Sequence, residues 1–463
     1  MNSNQPYQCN NVMPLSLTRR DVLKSVSAGF GWLALQGLAA RVEAATGASS
    51  LAIRAPHFAA RAKRVIFLSM QGGPSHMDTF DYKPQLQTDN GKAGEKGKLF
   101  ASPFKFSQHG QSGQWISEVF ANVAEHADDI CMLRGMTTDI PNHPQAYIQM
   151  HTGSTQFVRP SLGAWTLYGL GSENENLPGF VTIAPPIQFG SQNYGSAFLP
   201  AVYQGTRIGA QREENSSASM NDIHNPELPS ELQRKQLDLV QAMNRDLLSS
   251  GSNADIEGVI QSFELGFKMQ SELPRVLDSA KESPAMLKSY GIGEGKTDNF
   301  GKQCLMARRL SEAGVRFVEV CSGGWDHHNN LSSRLSASAA SIDKPIAGLL
   351  ADLKQRGLLK DTLVIWGGEF GRTPGNGKPD GRGHNSKGYT MWMAGGGVRG
   401  GMSHGATDEH GGKAVQDVMH VHDMHATVLA LMGLDHEKLT YRYAGRDFRL
   451  TDVKGNVVKE IVA

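Results

Sequence analysis

The 463-residue sequence is poor in cysteine, and its cysteines are widely separated. They stand at positions 9, 131, 304 and 321, and no CxxC pair occurs. This spacing argues against a zinc site built from cysteines and against a disulfide framework. One bridge plus one free thiol among Cys131, Cys304 and Cys321 stays open as an arrangement.

An excess of charge of either sign is also absent. Lys and Arg total 46 and Asp and Glu total 45, which gives no electrostatic case for nucleic acid or an anionic membrane surface as a partner. Beyond the N-terminal segment no apolar run approaches the length of a membrane span. What is present, 39% hydrophobic residues and 52 glycines, suits a globular, loop-rich α/β protein.

The N-terminal segment resembles an export signal. A pair of arginines within Thr18–Lys24 precedes the uncharged stretch Ser25–Ala40, and small residues follow at Val42–Ala44. This order is typical of a twin-arginine signal, whereas a cytosolic amphipathic helix is the alternative. We expect residues 1–44 to be the signal and residues 45–62 a linker, with the twin-arginine machinery as a partner and a periplasmic or secreted location.

After the linker, strand-like apolar runs alternate with helical patterns. Arg64–Met70 and Thr362–Trp366 are the clearest strands. The alternation predicts a doubly wound, mostly parallel α/β sheet over residues 63–463. Ile116–Ala127 is predicted as a helix. Residues 226–291 are charged and helical in spacing, which predicts a helical insertion outside the sheet.

Carboxylates and imidazoles follow two of the predicted strands. Asp326-His327-His328 and Glu369 come after apolar runs, and His384 closes the loop that Glu369 opens. Parallel strands deliver their carboxyl ends to one edge of a sheet. We therefore expect Asp326, one of the two adjacent histidines, Glu369 and His384 to meet there around a divalent ion such as zinc or calcium. A hydrogen-bonded structural loop is the alternative.

Other polar residues allow two interpretations each. Arg372 could clamp an anionic ester bidentately or form a structural ion pair. His76 and Asp78 follow the first strand and could add ligands, or Asp78 could cap a turn. His422 and His425 could bind a metal as an i, i+3 pair, or mark the start of a helix.

Several stretches together resemble a secreted bacterial family that carries a domain of unknown function, number fifteen-oh-one. The resemblance covers nearly everything after the signal. It rests on GGPSHMDTFD at 72–81, GWDHH at 324–328, VIWGGEFGRTP at 364–374, GRGHN at 381–385, and HDMHATVLALMGL followed by GRDF at 445–448. That family is similar to the alkaline phosphatase and sulfatase superfamily.

This resemblance implies a metal-dependent ester hydrolase fold with an altered site. The stretch leading into the helix before Gly153 resembles the superfamily's nucleophile helix, so Asp139 stands near the nucleophile position and Asn142 is expected to face the ion. Gln71 stands where the first metal aspartate would be, and Glu369 begins the pair that replaces an Asp-His. One ion rather than two is implied.

Two functions are consistent with these features. The first is an exported, metal-dependent hydrolase of phosphate or sulfate esters, acting on a small molecule or an extracellular polysaccharide. The alternative is a non-catalytic envelope protein that binds a sugar or an anion on a degenerate phosphatase-like site.

Changing Arg19 and Arg20 together to lysine should trap the precursor in the cytoplasm, because the twin-arginine machinery recognises the paired arginines. Cell fractionation followed by immunoblotting measures this. Normal export of the double variant would refute the assignment.

Overall fold

A computed structural model describes residues 50–212, 215–217, 228–249 and 254–463. The predicted twin-arginine signal and the first residues of the linker lie outside this described part. No helix within the described part is long and apolar enough to cross a membrane.

The described residues build one nine-stranded sheet. Its strands are β1 (Arg64–Met70), β2 (Ile130–Thr137), β3 (Phe180–Ile183), β4 (Thr206–Ile208), β5 (Phe317–Ser322), β6 (Thr362–Gly367), β7 (Tyr389–Ala394), β8 (Met402–His404) and β9 (Met419–His420). The spatial order is β8-β2-β7-β6-β1-β5-β3-β4, and β9 also pairs with β2. Only β7 among these strands runs antiparallel to its neighbours β6 and β2. The predicted mostly parallel α/β fold is confirmed.

Seven longer helices occur in the described part of the chain. They are α1 (His143–Thr152), α2 (Leu162–Leu170), α3 (Ser230–Ser249), α4 (Ala254–Leu277), α5 (Asp298–Glu312), α6 (Leu331–Gln355) and α7 (Val421–Leu431). Shorter helices are His76–Thr79, Pro84–Thr88 and Pro284–Ser289. Short ribbons off the main sheet pair Ala93–Gly94 with Gly97–Lys98, Phe106–His109 with Gln114–Ser117, Ala210–Arg212 with Asn215–Ser217, Gly371–Arg372 with His384–Asn385, Ala406–Thr407 with Ala414–Gln416, and Tyr441–Tyr443 with Arg446–Phe448.

Both faces of the sheet are covered, which explains why its central strands are mostly apolar. In β1 the side chains of Val65 and Phe67 join a core that includes residues of α1, α2 and α7. Ile66 and Leu68 point to the opposite core, which includes residues of α5 and α6. The three cysteines in the described residues are buried and unbridged.

The predicted helix over Ile116–Ala127 is wrong. The chain instead forms the strand Gln114–Ser117 followed by two 3-10 segments. Most apolar side chains of this stretch are buried, so their spacing indicates burial and not an α-helix. Asp343 of α6 holds the start of the second 3-10 segment, because its carboxylate accepts the backbone N–H groups of Asn122 at 3.0 Å and Val123 at 2.8 Å. Residues 228–249 and 254–291, in the segment expected as an insertion, hold α3, α4 and shorter helices and contribute no strand to the sheet.

A buried ion pair ties α1 to the middle of the sheet. Glu319 of β5 is fully buried, and its carboxylate accepts hydrogen bonds from His151 Nε2 at 2.6 Å and Thr182 Oγ1 at 2.8 Å. The other ring nitrogen of His151 faces the carbonyl oxygen of Tyr147 at 2.7 Å, so only the protonated ring satisfies both acceptors. Burial favours the neutral forms, but each partner's charge outweighs it. The pKa of His151 is therefore raised and that of Glu319 lowered.

Replacing Glu319 by glutamine should lower the free energy of unfolding by about 3 kcal/mol, since it removes one partner of a buried pair. The lowered folded pKa of Glu319 gives a contribution that is complete above its ordinary pKa of 4.5 and lost as pH falls through the folded pKa. The raised folded pKa of His151 gives a contribution that is complete below 6.5 and lost as pH rises through the folded pKa.

The difference between wild type and Glu319→Gln should thus be largest between about pH 4.5 and 6.5, measured by urea unfolding across pH. The exposed Glu231, changed to glutamine, is the control and should have little effect. A difference that does not vary with pH would contradict the ion-pair assignment.

Candidate metal centre

Four chain segments bring polar side chains to one edge of the sheet. Asp326 follows β5, Glu369 and Arg372 follow β6, and α1 begins at His143 shortly after β2. His384 lies before β7, and because β7 is antiparallel its beginning lies at the same edge as the carboxyl ends of the parallel strands. The topology therefore gathers these residues as expected for an α/β sheet.

The carboxylate of Asp326 is the centre of the cluster. Its Oδ1 atom lies close to four side-chain nitrogens: Arg372 Nη2 at 2.7 Å, His328 Nε2 at 3.0 Å, His384 Nε2 at 3.3 Å and His143 Nε2 at 3.4 Å. The ligand atoms of His143, Asp326 and His384 all lie within 4.8 Å of one another. We call these three residues the triad.

Glu369 lies behind His143. It is fully buried, and its Oε1 accepts the backbone N–H of Gly72 at 3.0 Å and contacts Nδ1 of His143 at 2.5 Å. With Nδ1 donating to Glu369, the Nε2 atom of the ring is presented to the triad. The sequence predicts Glu369 as a direct ligand, and the structure instead places it in contact with a ligand-type histidine.

The pKa of His143 reflects its contacts with the two carboxylates. Burial acts to lower its pKa, but the hydrogen bonds and charges of Asp326 and Glu369 outweigh burial and raise the pKa to about 9. His384 is held from its other side, where Nδ1 lies 3.0 Å from the carbonyl oxygen of Pro141. Both triad histidines are thus fixed through Nδ1 and turn Nε2 toward Asp326.

The triad fits a divalent transition metal. A tetrahedral zinc ion with bonds of about 2.0–2.1 Å would separate its ligand atoms by roughly 3.3 Å. Asp326 Oδ1 lies 3.3 Å from His384 Nε2 and 3.4 Å from His143 Nε2, which agrees with that spacing. Two imidazoles and one carboxylate suit zinc and similar ions, whereas calcium prefers a shell of oxygen atoms.

Arg372 holds the turn after β1 against the site. Its guanidinium is buried and donates to the carbonyl oxygens of Gly73, at 2.8 Å, and of Gly72, besides its ion pair with Asp326. A Cβ atom at Gly72 would lie 2.7 Å from the backbone nitrogen of Asp326, and its φ of +113° favours glycine. Of the two interpretations of Arg372, these contacts favour the structural ion pair.

The two adjacent histidines after Asp326 lie in different surroundings. His328 is partly exposed, with Nε2 2.8 Å from His384 Nε2, so it joins the edge of the triad. His327 is buried beside Trp325, with ring centroids 6.2 Å apart. Burial, the first cause, and Arg372 lower the pKa of His327 to about 4. One histidine of the pair therefore reaches the cluster, as the sequence predicts.

The two residues expected at the nucleophile helix lie outside the triad's contacts. The carboxylate of Asp139 accepts from the Gln149 side-chain amide and lies 3.2 Å from His420 Nε2 and 3.6 Å from Lys454 Nζ. Asn142 is exposed and precedes the first residue of α1 without capping it through its side chain. Neither residue hydrogen-bonds to the triad.

The other residues that the sequence suggested as site residues make contacts outside the triad. Asp78 is buried in an ion pair with Arg382 at 2.6 Å, and His76 Nε2 lies 2.9 Å from the carbonyl oxygen of Gly411. Gln71 joins the turn through its backbone, donating to Ser322 at 2.8 Å. These three residues are part of the packing around the turn after β1.

The histidines of α7 also have structural partners. His422 Nε2 lies 2.8 Å from the carbonyl oxygen of Gly153, and His425 Nε2 lies 2.7 Å from that of Met150. His420 and Asp423 form a capping box at the start of α7. The helix-start interpretation of this stretch therefore fits the structure better than an i, i+3 metal pair.

His143 is the triad residue that sequence reasoning missed. The stretch before α1 drew attention to Asp139 and Asn142, but the imidazole at the first helical position is the one that points into the site. A usable signal was present, because His143, Tyr147 and His151 are spaced i, i+4, i+8 and share one face of α1.

Comparison with known proteins agrees with the resemblance seen in the sequence. Residues 62–462 match the model of a family described as "Protein of unknown function (DUF1501)". The chain belongs to this family. No curated protein matches this DUF1501 chain.

Solved structures similar to this DUF1501 chain include members of the phosphatase and sulfatase superfamily. The lipoteichoic acid synthase LtaP from Listeria monocytogenes is 9% identical, with 86% of this chain and 78% of that chain covered and a TM-score of 0.39. The PsFucS1 sulfatase from Pseudoalteromonas sp. is 13% identical, with 81% and 69% covered and a TM-score of 0.33. The alkaline phosphatase from the Antarctic bacterium TAB5 is 13% identical, with 73% and 92% covered and a TM-score of 0.31. At these values no residue role passes to the DUF1501 chain, and the chemistry is argued from the triad itself.

Replacing Glu369 by glutamine should weaken binding of Zn²⁺ by about 10- to 100-fold, because the carboxylate orients His143 and raises its basicity. Titration of the metal-free protein with Zn²⁺ against a chelating dye measures the change. Glu319→Gln is the matched control, since it also removes a buried glutamate that pairs with a histidine of α1. If both variants lose the same affinity, the effect comes from α1 in general and the orienting role of Glu369 is wrong.

Proposed function

We propose that this protein is an exported, metal-dependent hydrolase of phosphate or sulfate esters, with a small molecule or an extracellular polysaccharide as substrate. The observation that carries the proposal is the convergence of His143, Asp326 and His384 within 4.8 Å at the carboxyl edge of the sheet. The twin-arginine pattern supports action outside the cytoplasm.

A divalent ion held by the triad would polarise an ester oxygen and lower the pKa of water at the site. Glu369 orients His143, and Arg372 keeps Asp326 ionised: burial raises the pKa of Asp326, but its two triad histidines and Arg372 hold it well below the ordinary range. When the imidazoles are deprotonated as metal ligands, the carboxylates of Asp326 and Glu369 and the guanidinium of Arg372 together leave one negative charge. Adding a dication reverses that sign, which favours an anionic ester.

The contacts of the triad bear on the identity of the attacking group. Among the described residues, no serine, threonine or cysteine side chain hydrogen-bonds to His143, Asp326 or His384. This supports water as the nucleophile. His328 is partly exposed, and its Nε2 lies 3.0 Å from Asp326 Oδ1, so a water held at Asp326 would lie beside this imidazole.

The same observation, that within the described residues no hydroxyl group hydrogen-bonds to the triad, also supports the alternative of a non-catalytic envelope protein that binds a sugar or an anion. The two functions differ in one measurable respect, which is turnover of an ester by the metal-loaded protein.

Replacing Asp326 by asparagine should abolish stoichiometric metal binding and lower kcat/KM on aryl phosphate or aryl sulfate at least 100-fold, because it removes the carboxylate on which the triad converges. Metal analysis of the purified protein and colorimetric release of the aryl alcohol measure the two effects. The exposed Asp447, changed to asparagine, is the control and should alter neither. Metal-loaded wild type that turns over no ester of either kind would favour the binding protein instead.

A further inference from the structure

One face of α3 is apolar and exposed. Four apolar side chains follow one another along it at spacings of seven, four and four residues: Leu232, Leu239, Met243 and Leu247. These spacings place them on one side of a helix, and we call the four residues the stripe. Their exposed fractions lie between 47% and 65%. No described residue of α3 belongs to either core of the sheet.

The opposite face of α3 already has its partners on α4. The guanidinium of Arg234 donates to both carboxylate oxygens of Glu264 at 2.8 Å, and the buried side-chain amide of Gln241 donates to the carbonyl oxygen of Ile260 at 2.7 Å. Arg234 and Gln241 stand about half a helical turn from the stripe. The packing of α3 on α4 therefore leaves the stripe uncovered.

The exposed apolar surface continues from the stripe to α4. Val240 and Phe263 line a groove of about 500 Å³ between the two helices and are 40% and 49% exposed, and Val259 of α4 is 40% exposed. With the stripe this makes seven apolar side chains, exposed by about half on average. At roughly 150–250 Å² for each fully exposed large apolar residue, they present on the order of 600 Å². That is most of the about 800 Å² that each partner contributes to a stable interface.

The charges beside the stripe are complementary to those of a second copy that runs in the opposite direction. Lys235 and Asp246 stand about three turns apart, so both lie on the same flank of the stripe. Two antiparallel copies of α3, paired about the midpoint between Leu239 and Val240, bring Lys235 of one copy within one turn of Asp246 of the other. A two-fold axis repeats this contact. The pair of Lys235 with Glu231 of its own helix, at 3.0 Å, is exposed and therefore weak.

A membrane surface is the less suitable occupant of this face. Helices that lie on membranes carry an excess of Lys and Arg on their polar side. The polar residues of α3 include three cations and three anions: Arg234, Lys235, Arg245, Glu231, Asp238 and Asp246. This balance suits pairing with an identical helix better than attraction to anionic lipid.

We propose that the stripe and the adjoining groove form a dimer interface, in which two copies of this chain pair through α3 and α4 with the α3 helices antiparallel. The two-fold axis matches apolar side chains with apolar ones, because Leu232 then faces Leu247 of the second copy and Leu239 faces Val240. The inference goes beyond the proposed hydrolase and does not depend on the triad.

Sedimentation equilibrium of the purified protein tests the proposal, and a dimer is expected. Changing Leu239 and Met243 together to lysine should raise the Kd of the dimer at least 100-fold, because it places four like charges at the centre of the interface. Both side chains are exposed in the single chain, so the variant should keep its fold, which circular dichroism checks. Val453→Lys is the control, since Val453 is 81% exposed but lies outside α3 and α4, and it should leave the Kd unchanged.

Disulfide formation tests the direction of pairing. The cysteines of the described residues are buried, so a new surface thiol is the one expected to oxidise. In the antiparallel pair the two copies of Leu239 lie beside the axis, whereas the two copies of Leu232 lie roughly 22 Å apart. Under mild oxidation Leu239→Cys should form a covalent dimer on non-reducing gels, and Leu232→Cys should not.

Wild type that stays monomeric at micromolar concentration overturns the proposal. If that monomer instead cosediments with vesicles of phosphatidylglycerol and phosphatidylethanolamine, the face belongs to a membrane contact. A dimer that persists in the double lysine variant, or equal crosslinking of Leu239→Cys and Leu232→Cys, also overturns it. Asp326→Asn should dimerise like wild type, so failure of the hydrolase and failure of the dimer are separate results.

Discussion

A fully buried carboxylate must be hydrogen-bonded, and Glu369 meets this requirement in a way that sets the geometry of the whole site. Its partners are the N–H of the turn after β1 and the Nδ1 of His143. The first contact fixes the turn against β6, and the second fixes which nitrogen of the imidazole faces Asp326. Removing either partner would leave a buried charge unsatisfied, so the fold and the site constrain each other at this residue.

The position of α1 depends on a row of polar contacts with the sheet. His143, Tyr147 and His151 lie on one face of the helix and contact Glu369, Ser69 and Glu319 respectively. The antiparallel strand β7 completes the arrangement, because it lets His384 enter from the edge where the parallel strands end. One edge of the sheet thereby receives ligand-type residues from four segments that are far apart in the chain.

The sequence was sufficient for the fold class, because apolar runs and glycine-bounded turns are local features of each strand. It was also sufficient to expect Asp326, one of the two adjacent histidines and His384 at one edge of the sheet, because these residues follow or precede strands. It failed in the region after Ile116, where the start of a 3-10 segment is held by Asp343, a residue far away in the chain. It also could not show that Glu369 contacts a ligand-type histidine instead of supplying a ligand atom itself. That depends on the distances between two strands and α1.

The central claim is that the triad is a metal centre oriented by Glu369. Anomalous diffraction from crystals of the zinc-loaded protein tests it most directly. The account predicts one strong peak bonded to His143 Nε2, His384 Nε2 and an oxygen of Asp326 at about 2.0–2.2 Å, with Glu369 still in contact with His143 Nδ1. A peak bonded to Glu369 itself, or no peak at the triad with zinc present in excess, would contradict it.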